Sequence, residues 1–240
     1  MFFRPRNWKN ALIPAAGLRL IKRLFGFRWK VMGHQNIVRD SGSVVLINHQ
    51  SIIDLIALAE LWPIMDNCTV ISKKEIFYLG PFGLASYLWG TIFIDRLNPD
   101  KAKDTINKTG ETVRRRKAKL CMFPEGTRHG GDELLPFKKG AFHVAIASRV
   151  PIQPVVVSKY YYIDYKKKRF DSGYTQIEIL PPISTEGYTR DNIDELVEKT
   201  HQIMSKRYKE LNKEVLGKVE NVKYDLNENK RYCSDRTYRT

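Results

Sequence analysis

From Ser43 to about Leu211, short β-branched runs alternate with stretches of helical period, and this alternation limits the fold more than any other feature of the chain. Strands are expected at Ser43–Ile47, Cys68–Ser72, Thr91–Ile94, Lys119–Phe123, Ile152–Val157 and Gln176–Leu180. Helices are expected at Ser51–Trp62 (closed by Pro63), Pro81–Trp89, Asp100–Lys117, Lys139–Ser148 and from Thr189 to about Leu211. Such alternation builds an α/β domain: a central, mostly parallel or mixed sheet flanked by helices. The 240 residues suffice for one domain of this kind. In these sheets the site gathers where strands end and loops begin.

Ahead of the sheet, about Trp8 to Phe27 reads as an amphipathic helix, or as two short ones broken near Pro14. Leu12, Ile13, Ala16, Leu20, Ile21 and Leu24 share one arc, and Arg19, Lys22 and Arg23 fall opposite. The stripe fits an N-terminal membrane-interface helix and equally a helix packed on its own domain. The chain therefore divides into a membrane-associating segment (1–30), a folded domain (31–212) and a polar tail (213–240). Ile76 to Ile94 carries no charge and is long enough to span a bilayer. Pro81 and the glycines Gly80, Gly83 and Gly90 interrupt it, so the expectation is a loop, a buried helix and a strand. No long apolar core follows Met1–Arg6, so no signal peptide is expected.

The 41 basic and 26 acidic residues give a net charge of +15. That excess favours an anionic partner, unless it is simply a basic surface. Arg114 to Lys119 and Lys166-Lys167-Lys168-Arg169 match no nucleic-acid motif and read as a solvated face or a membrane rim. Three irregularly spaced cysteines form no disulfide framework, which suits a reducing compartment. His34, His129, His143 and His201 lack partners at metal-ligand spacing, so no metal is expected.

The chemistry concentrates in two runs. Val44-Val45-Leu46-Ile47 ends in Asn48-His49, and Asp54 follows five positions after the histidine. An imidazole at a strand end can take a proton from a hydroxyl, and a carboxylate on its second nitrogen fixes the tautomer. Ser51-Ile52-Ile53-Asp54 also fits a helix capping box, so Asp54 has two readings. No G-x-S-x-G elbow accompanies the histidine, which favours activation of a substrate hydroxyl without an acyl-enzyme.

The second run is Phe123-Pro124-Glu125-Gly126-Thr127-Arg128. Gly126 admits close backbone approach, Arg128 offers a planar fork to phosphate oxygens, and Glu125 can accept from an alcohol on the same ligand. A surface turn with a solvated ion pair would read the same way. Phe93-Ile94-Asp95-Arg96 and the Lys73-Lys74 pair also follow strands and could add cations to the pocket, or simply pair with neighbours. Val150-Pro151-Ile152-Gln153-Pro154-Val155 fits the wall of an acyl channel or an edge strand.

In order and spacing these runs resemble the glycerolipid acyltransferases, in particular the 1-acylglycerol-3-phosphate O-acyltransferases, over about Pro14 to Lys209. Asn48, His49 and Asp54 match the first family motif, Ile94-Asp95-Arg96 the second, Glu125 to Arg128 the third and Val150 to Pro154 the fourth. Leu134 to Phe142 looks like the eukaryotic members. The resemblance implies acyl-CoA as co-substrate donor with no cofactor, lysophosphatidic acid as acceptor and phosphatidic acid as product. It implies His49 as general base and Asp54 as its orienter. Asn48, Lys74, Arg96, Glu125, Gly126, Thr127 and Arg128 would then bind substrate. It further implies contact with membrane lipids, in the endoplasmic reticulum membrane, and no nucleic acid. Eukaryotic relatives usually carry membrane-spanning segments ahead of the first motif, and this chain starts with only the amphipathic stretch, so the resemblance implies either a short isoform or attachment through interface helices, as in bacterial relatives. Other readings are transfer to a different lysophospholipid or to glycerol 3-phosphate, hydrolysis of a thioester, and a silent membrane-binding protein that keeps the fold.

Overall fold

The computed structural model describes residues 4–94, 102–164 and 167–236. Its strands are β1 (Arg28–Met32), β2 (Ser43–Ile47), β3 (Cys68–Lys73), β4 (Ile92–Ile94), β5 (Lys119–Met122), β6 (Ile152–Val157), β7 (Ile163–Asp164), β8 (Arg169–Phe170) and β9 (Tyr174–Ile179). Its helices are α1 (Leu12–Leu24), α2 (Asp54–Met65), α3 (Gly80–Leu88), α4 (Ala102–Arg116), α5 (Gly140–Ser148) and α6 (Ile193–Arg236). Seven strands form one sheet in the order β1-β9-β6-β2-β5-β3-β4, and β7 pairs with β8 in a separate ribbon.

β2 runs parallel to β5 and β6, β5 to β3, and β3 to β4. β9 is antiparallel to β6 and parallel to β1. The sheet is thus mixed and mostly parallel, as the alternation implies. Because five neighbouring strands point the same way, their C-terminal ends share one edge, and the segments that follow β2, β3, β5 and β6 meet there.

The unbroken apolar run of β2 has a two-sided cause. Val45 and Ile47 enter one core with Ile56, Leu61 and Trp62 of α2. Val44 and Leu46 enter the other with Phe142 of α5 and Leu196 of α6. A parallel strand covered on both faces needs apolar residues at every position. Each of these four aliphatic side chains is completely buried, worth about 1.5–3 kcal/mol apiece.

Three local differences from the sequence reading have clear causes. β1 escapes the sequence reading; its alternation of Arg28 and Lys30 with Trp29 and Val31 marks a strand with one face on the core. β6 is an interior strand, not an edge, and Pro154 falls just before its first pair with β9, Val155 with Ile179. α2 begins at Asp54 and runs on past Pro63 to Met65. Proline leaves the carbonyl four residues earlier without its helical donor. That carbonyl, Ala59 O, accepts from Arg19 Nη1 of α1 at 2.8 Å.

α1 follows a 3-10 turn at Trp8–Ala11 and packs on α2. Leu12 of its apolar arc packs on the core, but the rest of the arc faces outward, with Leu24 78% and Leu20 59% exposed. Of its polar side, Arg23 stays exposed, while Arg19 and Lys22 turn inward: Lys22 is buried, with Nζ 2.7 Å from Glu60 Oε1. The amphipathic helix is therefore present, but Arg19 and Lys22 serve the domain rather than the solvent. The uncharged stretch after β3 forms a 3-10 turn (Lys74–Tyr78), then α3 and β4. α3 is not the buried helix expected, since only Gly83 and Ser86 are buried while Phe82 and Leu84 are more than half exposed. Among the described residues no helix is long and apolar enough to cross a membrane. On the far face, α6 is pinned to β9 by Arg207, which lies 2.6 Å from Glu178.

Candidate active site

β2 ends at Ile47, and Asn48 extends its pairing through a side chain. Asn48 Oδ1 accepts from Val157 N at 2.7 Å and Nδ2 donates to Val157 O at 3.0 Å. Asn48 is completely buried. Both ends of its amide are thus committed to the end of β6, and they fix where the next residue emerges.

That residue is His49. Its Nδ1 lies 2.7 Å from Asp54 Oδ2. The same oxygen accepts from Gln50 N at 2.7 Å and Ser51 N at 2.9 Å. Oδ1 accepts from the Tyr160 hydroxyl at 2.7 Å. One carboxylate oxygen thus holds both the imidazole and the turn ahead of α2, but the expected capping box is not formed: α2 starts at Asp54 itself, and its N-cap, Ile53, makes no side-chain cap bond. Two backbone N–H groups and one hydroxyl already donate to this carboxylate, and it meets the imidazole as an acceptor too. Nδ1 of His49 then carries its proton, and Nε2 presents a lone pair. Phe123 stacks on the imidazole at 4.0 Å between ring centres and 18° between planes, which fixes the ring's tilt.

Glu125 follows β5 and reaches the same place from the neighbouring strand. Its Oε1 accepts from His49 N at 2.7 Å, and its Oε2 from Leu135 N at 3.0 Å. Only 2% of the residue is exposed. Burial pushes its carboxyl above the ordinary value of 4.5, against the opposing pull of those two N–H groups. The carbonyl of His49 accepts from His129 N at 2.8 Å, so both backbone groups of the histidine are tied to the second run and the residue that follows it.

Gly126 has a φ of +69°, and Lys138 fills the space where a side chain would stand, 2.8 Å from an ideal Cβ. A side chain at 126 would be strained and would displace Lys138. Thr127 and Arg128 are exposed. A cleft of about 430 Å³ is lined by His49, Leu55, Ile71, Phe123 and Arg128 among others. Lys74 is exposed and opens the 3-10 turn after β3, at the same sheet edge. Arg96 and Asp95 lie outside the described residues.

The structure thus brings His49, Asp54 and Arg128 to one cleft. Glu125 and Asn48 stand behind it, holding backbone. Tyr160 and Gln50 belong to the same constellation and escape the sequence reading. Gln50 Nε2 donates to Val157 O and Ser158 O at 3.1 Å each, and Tyr160 is buried. Burial, and then the charge on Asp54, push the Tyr160 phenol well above its ordinary range, so it stays a donor. No local spacing marks Tyr160, because its partner lies more than a hundred positions away.

Chemically, an oriented imidazole with an open Nε2, an apolar cleft wall and a guanidinium on the same cleft can deprotonate an alcohol that carries an anionic group. Residues 28–158 match the acyltransferase family. The human 1-acyl-sn-glycerol-3-phosphate acyltransferase alpha is 37% identical over 215 residues, covering 89% of this chain and 75% of that protein. The 1-acyl-sn-glycerol-3-phosphate acyltransferase of Haemophilus influenzae is 35% identical over 214 residues, covering 89% of this chain and 88% of that one. In fold the chain is similar to the 1-acyl-sn-glycerophosphate acyltransferase PlsC from Thermotoga maritima, with a TM-score of 0.68 at 22% identity over 85% of this chain and 80% of that chain. By sequence match across most of its length, this chain belongs to the 1-acyl-sn-glycerol-3-phosphate acyltransferase family.

Proposed function

We propose that this chain transfers an acyl group from acyl-CoA to the sn-2 hydroxyl of lysophosphatidic acid, giving phosphatidic acid. The observation that carries the assignment is the shared cleft: His49 and Arg128 both line it, with Asp54 2.7 Å behind the imidazole. Arg128 binds the acceptor's phosphate, Lys74 adds charge at the same edge, and Arg96 serves as a further phosphate clamp in this proposal. Nε2 of His49 takes the proton of the acceptor hydroxyl as its oxygen attacks the thioester carbonyl. The new oxygen–acyl bond forms, the carbon–sulfur bond breaks, and coenzyme A leaves as a thiolate that recovers the proton from the imidazolium. Asp54 stabilises the imidazolium meanwhile. Glu125, Gly126 and Asn48 act by shaping the loops that carry His49 and Arg128.

Residues 1–30 are the membrane-associating segment in this proposal, although Arg28–Lys30 already pair in β1; 31–212 are the catalytic domain, and 213–240 are a polar tail that continues α6 as far as Arg236. The outward apolar face of α1 supports residence at a lipid interface, where acceptor and product reside. The eukaryotic pattern of Leu134 to Phe142 supports the endoplasmic reticulum as that membrane.

Purified protein supplied with labelled acyl-CoA and a panel of lysophosphatidic acid, lysophosphatidylcholine and glycerol 3-phosphate tests the assignment. Product is expected from lysophosphatidic acid, and His49→Ala should lower turnover at least about 100-fold with unchanged thermal melting. Retained turnover in that variant would remove the base. Preference for another acceptor would reassign the substrate, and fatty acid released without acceptor would mark a hydrolase.

A further inference from the structure

A second cavity, of about 450 Å³, lies at the opposite edge of the sheet from His49. It opens where β3 and β4 begin, beside Cys68 and Ile92, and where Ala118 precedes β5. Among the described residues its charged lining is entirely cationic: Arg4, Arg6, Lys9 and Arg116. Among the described residues none of these four makes an ion pair. Trp8 and Trp89 supply apolar walls.

The backbone is arranged to bring these charges together. Arg6 holds a φ of 60°, which disfavours any residue with a side chain. The next residue secures that turn: Asn7 N donates to Leu88 O at 3.0 Å, and Asn10 Nδ2 donates to the same oxygen at 2.8 Å. Gly90 takes a φ of +93° against the Arg6 carbonyl, which lies 3.2 Å from where a Cβ would stand. Burial, and then the charges of Arg6 and Arg115, push the Arg116 guanidinium below its ordinary value. Like charges gathered without a counter-charge favour an anion between them.

We propose that this second cavity binds a phosphate group, carried by a membrane phospholipid or by a soluble ester. The cavity has the size of a small-molecule site. It sits at the seam between the 3-10 turn before α1 and the end of α3, and both helices at this seam carry outward apolar side chains, Ile13 of α1 and Leu84 of α3, each more than half exposed. Tryptophan rings beside cations are the side chains of a lipid interface. The lipid source rests on the interfacial residence proposed above; the phosphate chemistry does not.

The test uses the full chain and the pair Arg6→Gln/Arg116→Gln, with Lys199→Gln/Lys206→Gln on α6 as a control of equal charge. Binding is measured to phosphatidylcholine vesicles with and without phosphatidylglycerol, and to inorganic phosphate by calorimetry. For a lipid source, the cavity pair loses about ten-fold or more of its preference for anionic vesicles, and the control pair keeps it. For a soluble source, phosphate binds the unmodified chain and not the cavity pair. If the cavity pair behaves as the unmodified chain in both arms, or the control pair loses as much, the site is refuted. Should the pair melt early, Arg6→Gln alone carries the same arms. Acyl transfer in detergent micelles is followed in parallel; its absence from the unmodified chain would count against the enzyme assignment and leave the phosphate readouts standing.

Discussion

Glu125 Oε1 accepts the backbone N–H of His49 at 2.7 Å, so the acid of the third motif holds the main chain of the first. Both of its oxygens are occupied by backbone donors inside the fold. Glu125→Gln keeps one acceptor and turns an amide N–H₂ toward the other donor. Loss of one such buried bond costs about 1–3 kcal/mol. The expected result is a destabilised protein with lower kcat and an unchanged KM for the acceptor, because the histidine is displaced while the phosphate grip remains. Denaturation and steady-state kinetics report both; a selective rise in acceptor KM at full stability would instead make Glu125 a ligand contact.

The same residue has a pH signature. Its folded pKa is raised by burial above the ordinary 4.5. As pH falls from neutral, the folded state binds the proton before the unfolded state does, so the unmodified protein gains stability relative to Glu125→Gln. That gain is lost as pH rises back through the folded value, and it levels off below about 4.5, where both states are protonated. Denaturation of the two proteins across this window should show a widening gap toward acid. A gap independent of pH would mean that the carboxyl titrates alike in both states.

What could be read from the sequence was local. β2 shows as an apolar run, and His49 and Asp54 are five residues apart within one strand-to-helix turn, so their pairing shows in their spacing. Tyr160, Glu125 and Asn48 meet their partners from other strands, across separations of 106, 76 and 109 positions. Such bonds exist only once the parallel sheet has aligned its C-terminal edge, so Glu125 and Asn48 look like ligand contacts in the sequence. The orientation of α1 was equally hidden. An apolar stripe does not say which side packs, and here the deciding bonds belong to Arg19 and Lys22, on the face that the stripe alone would leave in water.

Tyr160→Phe removes the hydroxyl that donates to Asp54 Oδ1 and nothing else from a buried site. A hydrogen bond to a charged group is worth about 1.5–3 kcal/mol. Stability should fall by that order. Turnover should also fall, because Asp54 loses one of the donors that aim it at His49. Unaltered kcat with reduced stability would confine Tyr160 to a packing role.

Arg128→Ala should act on one substrate only. A lost charge-assisted pair of about 1.5–3 kcal/mol corresponds to a ten- to hundred-fold rise in KM for lysophosphatidic acid, with the acyl-CoA term unchanged. The decisive comparison is monoacylglycerol, which lacks the phosphate. Arg128→Ala and the unmodified enzyme should use it equally poorly, whereas a further loss would place Arg128 in a role beyond the phosphate.

The two faces of α1 should separate completely under mutation. Leu20 and Leu24 point away from the domain, so Leu20→Asn/Leu24→Asn removes apolar surface that only a partner outside the fold could cover. Surface substitutions of this kind change stability by about 0.5 kcal/mol or less. Each buried leucine is worth about 1.5–3 kcal/mol at an apolar interface, so vesicle binding should fall about ten-fold or more. Lys22→Ala is the inverse experiment. It leaves Glu60, 2.7 Å away and largely buried, without its cation, and it loosens α1 from α2. Stability should fall by about 1–3 kcal/mol while vesicle binding of the folded protein is retained. Flotation with liposomes and thermal melting of both variants read the two faces independently, and an exchange of the two outcomes would mean that α1 packs by its leucines.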